Sequence, residues 1–79
     1  MFQATVVFHT VEEAKQFARM AETFPFPIEL SLNNYTVNAK SIISIFSLEF
    51  SKPLLLCAQC DETSKISKAV KPYLYQEQK

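Results

Sequence analysis

A chain of 79 residues holds one domain and is too short for two, because at this size only about 60 to 65% of the unfolded surface can be buried. Its composition, 48% hydrophobic and 20% charged, excludes the disordered class and requires every element to share one core. Eight basic and eight acidic residues cancel, so no net field exists to hold the protein on nucleic acid or on an anionic membrane, and neither is expected as a partner.

In chain order, Phe2 to His9 alternates, with Phe2, Ala4, Val6 and Phe8 on one face and Gln3, Thr5, Val7 and His9 on the other. This predicts a half-buried strand. The period then changes. Ala14, Phe17, Ala18, Ala21 and Phe24 recur at helical spacing while the charged residues lie elsewhere, which predicts an amphipathic helix ended by Pro25 and Pro27.

Ile28, Leu30 and Leu32 alternate with Glu29 and Ser31, and alternation resumes from Tyr35 to Asn38 after Asn33-Asn34. The pattern is that of a tight hairpin, in which Asn supplies the positive φ that a chain without any glycine cannot obtain otherwise. Ser41 to Leu48 is short, apolar and interrupted by three serines, and periodicity alone fits helix or strand.

Leu54 to Cys60 reads as a buried strand bounded by Pro53 and Asp61. Cys57 and Cys60 form a C-x-x-C, but residues three apart on a strand face opposite sides, and one His supplies no further ligand set. Two ordinary, mostly buried cysteines are expected, with no metal. Asp61 can cap a last helix with the stripe Ile66, Ala69, Val70 and Tyr73, ended or bent at Pro72. The order is β-α-β-β-α-β-α, which an antiparallel sheet with helices on one face satisfies.

The first basic residue is Lys15, so the start of the chain lacks the charged region of a signal peptide, and no apolar run approaches a membrane span. A cytoplasmic protein is expected. No catalytic triad, glycine-rich phosphate loop or ligand cluster can be assembled from one His and no Gly, so no cofactor is expected either.

Residues 28–48, IELSLNNYTVNAKSIISIFSL, resemble the HPr family of bacterial phosphocarrier proteins, whose middle segment is a hairpin followed by V-N-x-K-S-I and a short apolar helix. VNAKSI, from Val37 to Ile42, is the specific part, and a looser agreement runs from Phe2 to Val70. The resemblance implies one α+β domain over residues 1–79, an open-faced sandwich with a four-stranded antiparallel sheet and three helices on one face. It also favours a helix for Ser41 to Leu48. The rival is a ferredoxin-like β-α-β-β-α-β domain, against which the terminal helix argues.

In that family a His-Ala-Arg-Pro segment opens the first helix, its His accepting a phosphoryl group and its Arg helping to hold it. Counting back without gaps from VNAKSI puts Thr10 at the His position, Glu12 at the Arg position and Glu13 at the Pro position. A slip of one restores His9 but neither Arg nor Pro.

The residues carry the same message without the family. A helix N-terminus attracts anions through its free amides and its dipole. In T-V-E-E, however, the Thr10 hydroxyl can accept from the Glu13 amide while the Glu13 carboxylate reaches back to the Thr10 amide, a capping box that uses the donors a phosphate would need. Glu12 adds a second repelling charge. The expectation is a degenerate phosphate site at Thr10, Glu12 and Glu13, with His9 as a weak acceptor candidate and no enzyme activity.

Ser41 matches the serine that an ATP-dependent HPr kinase phosphorylates in low-GC Gram-positive bacteria, where the product acts as corepressor for catabolite control protein A. A related paralogue without the His keeps only that regulatory use. The resemblance therefore implies Ser41 as a regulatory phosphorylation site, against the plainer role of starting a helix. Ser44 replaces the family's small Gly, and Glu12 its Arg. Ile42, Ile43 and Phe46 correspond to the family's docking patch, while Ile45 and Leu48 turn inward. The function implied is an HPr-like regulatory or adaptor protein whose partner is a protein of the HPr kinase or transcriptional regulator type, or a second copy in a homodimer. A phosphocarrier using His9 and a silent interaction module are the alternatives.

Overall fold

The computed structural model describes residues 1–60 and 63–75. Its elements run β1 (Phe2–Val6), α1 (Val11–Glu22), β2 (Ile28–Leu32), β3 (Tyr35–Asn38), α2 (Ile42–Phe46), β4 (Leu54–Ala58) and α3 (Ser64–Val70), followed by a 3-10 turn at Lys71–Tyr73. The four strands form one antiparallel sheet in the order β1-β4-β2-β3. Helices cover one face of it. This is the α+β architecture implied by the resemblance, and the strand order, with β4 and β2 at the centre, excludes the ferredoxin-like rival, whose central strands are the first and third.

Alternation along each strand decides the faces. Ala4 pairs with Leu56, Leu56 with Leu30 and Leu30 with Val37, so one rung of side chains crosses the whole sheet beneath the helices. Leu30, Leu54, Leu56 and Ala58 are fully buried there, together with Ala14, Phe17 and Ala21 of α1 and Ile66 of α3. The opposite face carries Gln3, Cys57, Glu29 and Asn38 in register.

Several boundaries differ from those expected, each for a physical reason. The first strand stops at Val6 instead of His9 because its partner β4 begins at Leu54, directly opposite Val6. Val7, expected on the solvent face, is buried, because the segment after α3 lies over it: its amide donates to the Tyr73 carbonyl at 2.9 Å. Helix α1 ends at Glu22, before either proline. The Thr23 hydroxyl donates to the Met20 carbonyl at 2.6 Å and stops the ladder, which leaves Phe24 outside the helix and stacked against Phe26.

Helix α2 is shorter than Ser41 to Leu48, and serines close both of its ends. Ser41 caps the start by accepting from the Ser44 amide, and the Ser47 hydroxyl donates to the Ser44 carbonyl at 2.6 Å. Helix α3 starts at Ser64 after Thr63, and its Ala69 is only half-buried. The expected cap Asp61 lies outside the described residues. Pro72 falls in the 3-10 turn that follows α3.

The strand ends at Ala58 instead of Cys60, so strand alternation does not set the orientation of Cys60, and neither cysteine is fully buried. Cys57 lies on the open face, where the Gln3 side-chain amide donates to its Sγ at 3.6 Å, while Cys60, beyond the end of β4, packs against the core. Among the described residues no group of three or more His, Cys, Asp or Glu could hold a metal ion, and no helix is long and apolar enough to cross a membrane.

Two predictions come from this architecture. Asn33 has φ 57° at the hairpin turn, the one positive φ among the described residues. Asn33→Ala should cost about 1 to 2 kcal/mol, the penalty of a Cβ in the left-handed region without the local bonding of Asn, whereas Asn33→Gly should be tolerated. Urea midpoints with unchanged slopes will read both.

The second concerns Tyr73, whose phenol pKa is raised by burial and, to a lesser degree, by the Glu13 carboxylate. A pKa raised on folding means that the folded state favours the neutral phenol. This stabilisation is complete below the unfolded pKa and is lost as pH rises through the folded one. Wild type should therefore lose stability at alkaline pH more steeply than Tyr73→Phe. Parallel losses in the two proteins would assign the effect to other groups.

Candidate functional site

The sequence-derived site residues fall on two adjoining helices. At the start of α1, Thr10 is extended, with φ −140° and ψ 161°, and its Oγ1 accepts from the Glu13 amide at 3.1 Å. The Glu13 carboxylate accepts from the amide of His9 at 3.2 Å, one residue earlier than the expected Thr10. The box is therefore shifted. It takes the Glu13 amide and, among the described residues, leaves the amides of Val11 and Glu12 without a protein acceptor.

The cap thus occupies only part of the donors at this helix start. Glu12 and Glu13 place two carboxylates in the first turn, and among the described residues Glu12 pairs with Lys15 at 3.7 Å in an exposed pair. Such pairs contribute little in water, so the two carboxylates stand largely uncompensated against the positive end of the dipole. His9 is exposed beyond the end of β1.

At α2, Ser41 is half-buried, with φ −105° and ψ 111°. Its Oγ accepts from the Ser44 amide at 3.3 Å, and its carbonyl accepts from Ile45. Ile45 and Leu48 turn into the core as expected. Of the three patch residues, Ile43 is 80% exposed and Phe46 is 42% exposed, its ring against Phe50, whereas Ile42 is half-buried on the core. The exposed apolar face is therefore carried by two residues, because a five-residue helix turns its first apolar side chain inward as well.

Sequence reasoning missed the cations beside this face. Lys15 and Arg19 of α1 and Lys40, before α2, border with Glu22 an open groove of about 370 Å³ floored by Ala18, Ile42 and Phe46. The helical period placed Lys15 and Arg19 on the polar side of α1 without showing that α2 would adjoin it. Lys40 also donates from Nζ to the Phe24 carbonyl at 2.6 Å, tying the loop after α1 to the start of α2. No local sequence signal marks that bond.

Removing the cap tests the geometry of α1. Thr10→Ala should cost about 0.5 to 2 kcal/mol, the usual value of an N-cap, and Glu13→Gln less, since it keeps an acceptor for the His9 amide. A urea midpoint that Thr10→Ala leaves in place would show that the hydroxyl bond contributes nothing.

No family model matches this chain, and no curated protein matches it. Solved structures do. HPr-C-His from Thermoanaerobacter tengcongensis is 30% identical, over 89% of this chain and 86% of its own, with a TM-score of 0.75. The phosphocarrier protein HPr from Bacillus anthracis str. Ames superposes with a TM-score of 0.74 over 94% of each chain at 23% identity, a likeness of fold. With the strand order, the helices on one face and that degree of identity over most of both chains, this chain belongs to the HPr family.

Proposed function

We propose that this chain is a regulatory or adaptor member of the phosphotransferase system, a single HPr-like domain over residues 1–79 that works in the cytoplasm through a protein partner and does not carry phosphate on histidine. The observation that carries the reading is the contrast between its two helix starts. At α1, two carboxylates stand in the first turn behind a threonine cap, so a phosphoryl group there would meet like charge. At α2 the first turn holds no acid, and Ile43 and Phe46 present apolar surface to solvent.

Ser41 is the residue through which regulation would act. It lies in the VNAKSI segment that matches the family, and it already caps α2. A phosphate at an exposed helix start gains about 0.3 to 1 kcal/mol from the dipole, too little to refold a domain, so modification would change what docks beside Ile43. The partner is of the HPr kinase or transcriptional regulator type, and a second copy of the chain is its competitor. One observation favours a phosphocarrier instead, the solvent-exposed ring of His9.

Intact mass separates these readings. Phosphoenolpyruvate with Enzyme I should leave the protein unmodified, and a phosphate that disappears in His9→Ala would establish the carrier. ATP with HPr kinase should add one phosphate that Ser41→Ala abolishes, with little change in melting temperature. No phosphate under conditions that fully modify an ordinary HPr would remove the regulatory role and leave a silent module. Ile43→Asp should then weaken partner binding without loss of stability, since the side chain is 80% exposed.

A further inference from the structure

A cleft of about 420 Å³ opens where the end of β1 meets the 3-10 turn, lined by Val7, His9, Ser51, Lys71, Pro72, Leu74 and Tyr75. None of these residues belongs to α1 or α2. Their walls are held by backbone bonds radiating from β1: the Phe8 amide to the Phe50 carbonyl at 3.1 Å, Val7 to Tyr73 at 2.9 Å, and the Tyr75 amide to the Thr5 carbonyl at 2.8 Å. Val6 and Leu74 form an antiparallel bridge between the last two. His9, Ser51, Lys71 and Tyr75 each stand at one of these bonds or within two residues of it, so the cleft is formed before anything enters it.

The polar lining residues all carry donors. Lys71 contributes an ammonium, His9 at least one ring N–H in either protonation state, and Ser51 and Tyr75 a hydroxyl each. Among the described residues no carboxylate lines the cleft and Lys71 has no ion-pair partner. Glu13 lies outside this lining, its carboxylate held at the His9 amide. Val7, Pro72 and Leu74 supply an apolar wall.

We propose that this cleft binds a small phosphate monoester, its phosphate among Lys71, His9, Ser51 and Tyr75 and its organic part on Val7, Pro72 and Leu74. Four donors match three terminal oxygens that only accept, where a carboxylate offers two. Among the described residues a cation would find no charged acceptor there. The volume exceeds what bare phosphate fills and lies within the range of about 300 to 1,000 Å³ typical of small-ligand sites. The proposal goes beyond the reading of α2 and is independent of it.

The test is a titration of the isotopically labelled protein, followed by amide chemical shifts, with inorganic phosphate, phenyl phosphate and benzoate. Saturable shifts at Val7, His9, Ser51, Lys71, Leu74 and Tyr75 are expected with both phosphates, phenyl phosphate binding more tightly. Lys71→Gln should weaken both by about tenfold, as loss of a charged hydrogen bond does. Lys65→Gln, an exposed lysine of α3 outside the cleft, should leave them unchanged. Leu74→Ala should remove the preference for phenyl phosphate. Shifts that fail to saturate, equal weakening by the two lysine changes, or benzoate binding as tightly as phenyl phosphate would each overturn the proposal.

Discussion

Phe8 is the side chain on which the protein closes. Fully buried, its ring lies 4.9 Å from that of Phe17, 5.7 Å from Tyr73 and 6.5 Å from Phe50. These contacts join the end of β1 to the first helix, to the turn after the last helix and to the loop entering β4. A small domain buries too little surface for separate clusters, so one aromatic group must serve all the segments that meet there. Neighbouring residues inherit their positions from it: His9 and Thr10 follow it directly, and Ser51 follows Phe50. Replacing Phe8 by a smaller residue would therefore leave more than a cavity, since the start of α1 would lose its anchor as well.

Much of this was legible in the sequence because it depends on period and on short-range chemistry. The alternation of Ile28, Leu30 and Leu32, the Asn33-Asn34 turn and the Ala14, Phe17, Ala18, Ala21 stripe each describe one element and its buried face, and each holds in the structure. What escaped depends on partners distant in the chain. The end of β1 is set by where β4 begins, the burial of Val7 by a segment more than sixty residues away, and the bond from Lys40 to Phe24 by the meeting of two loops. The shift of the Glu13 carboxylate from Thr10 to His9 is smaller in scale. The capping motif fixes which side chains are near the helix start, whereas the choice between adjacent amides depends on how the preceding strand arrives.

The two helix starts show how charge divides the surface. Both are capped by a hydroxyl accepting from the amide three residues on, so their hydrogen bonding is alike. They differ in what surrounds the cap. Glu12 and Glu13 offset the positive end of α1, while α2 has no acid in its first turn and adjoins Lys15, Arg19 and Lys40 along the groove. Positive charge thus gathers along the groove, where three cations face one acid, Glu22, and negative charge at the start of α1, although the chain as a whole is neutral.

The absence of glycine makes the short hydroxyl residues responsible for ending elements. Helices commonly finish on a left-handed glycine that frees the chain to turn, and this protein has none. Thr23 and Ser47 instead stay in the right-handed region, with φ −75° and −76°, and donate their hydroxyls to carbonyls one turn back. A terminus made this way keeps the direction of the helix, so the change of course must be absorbed by the residues that follow. After α1 these are Pro25 and Pro27, with Phe24 and Phe26 packed on each other at 5.3 Å, and after α2 they are Glu49 to Pro53. The loop after α2 is thus fixed in course by how the helix ends, and it carries Phe50 back to Phe8. A helix of only five residues can therefore hold Ile43 outward with its own fold propensity contributing little, because both of its ends are tied to the core that Phe8 organises.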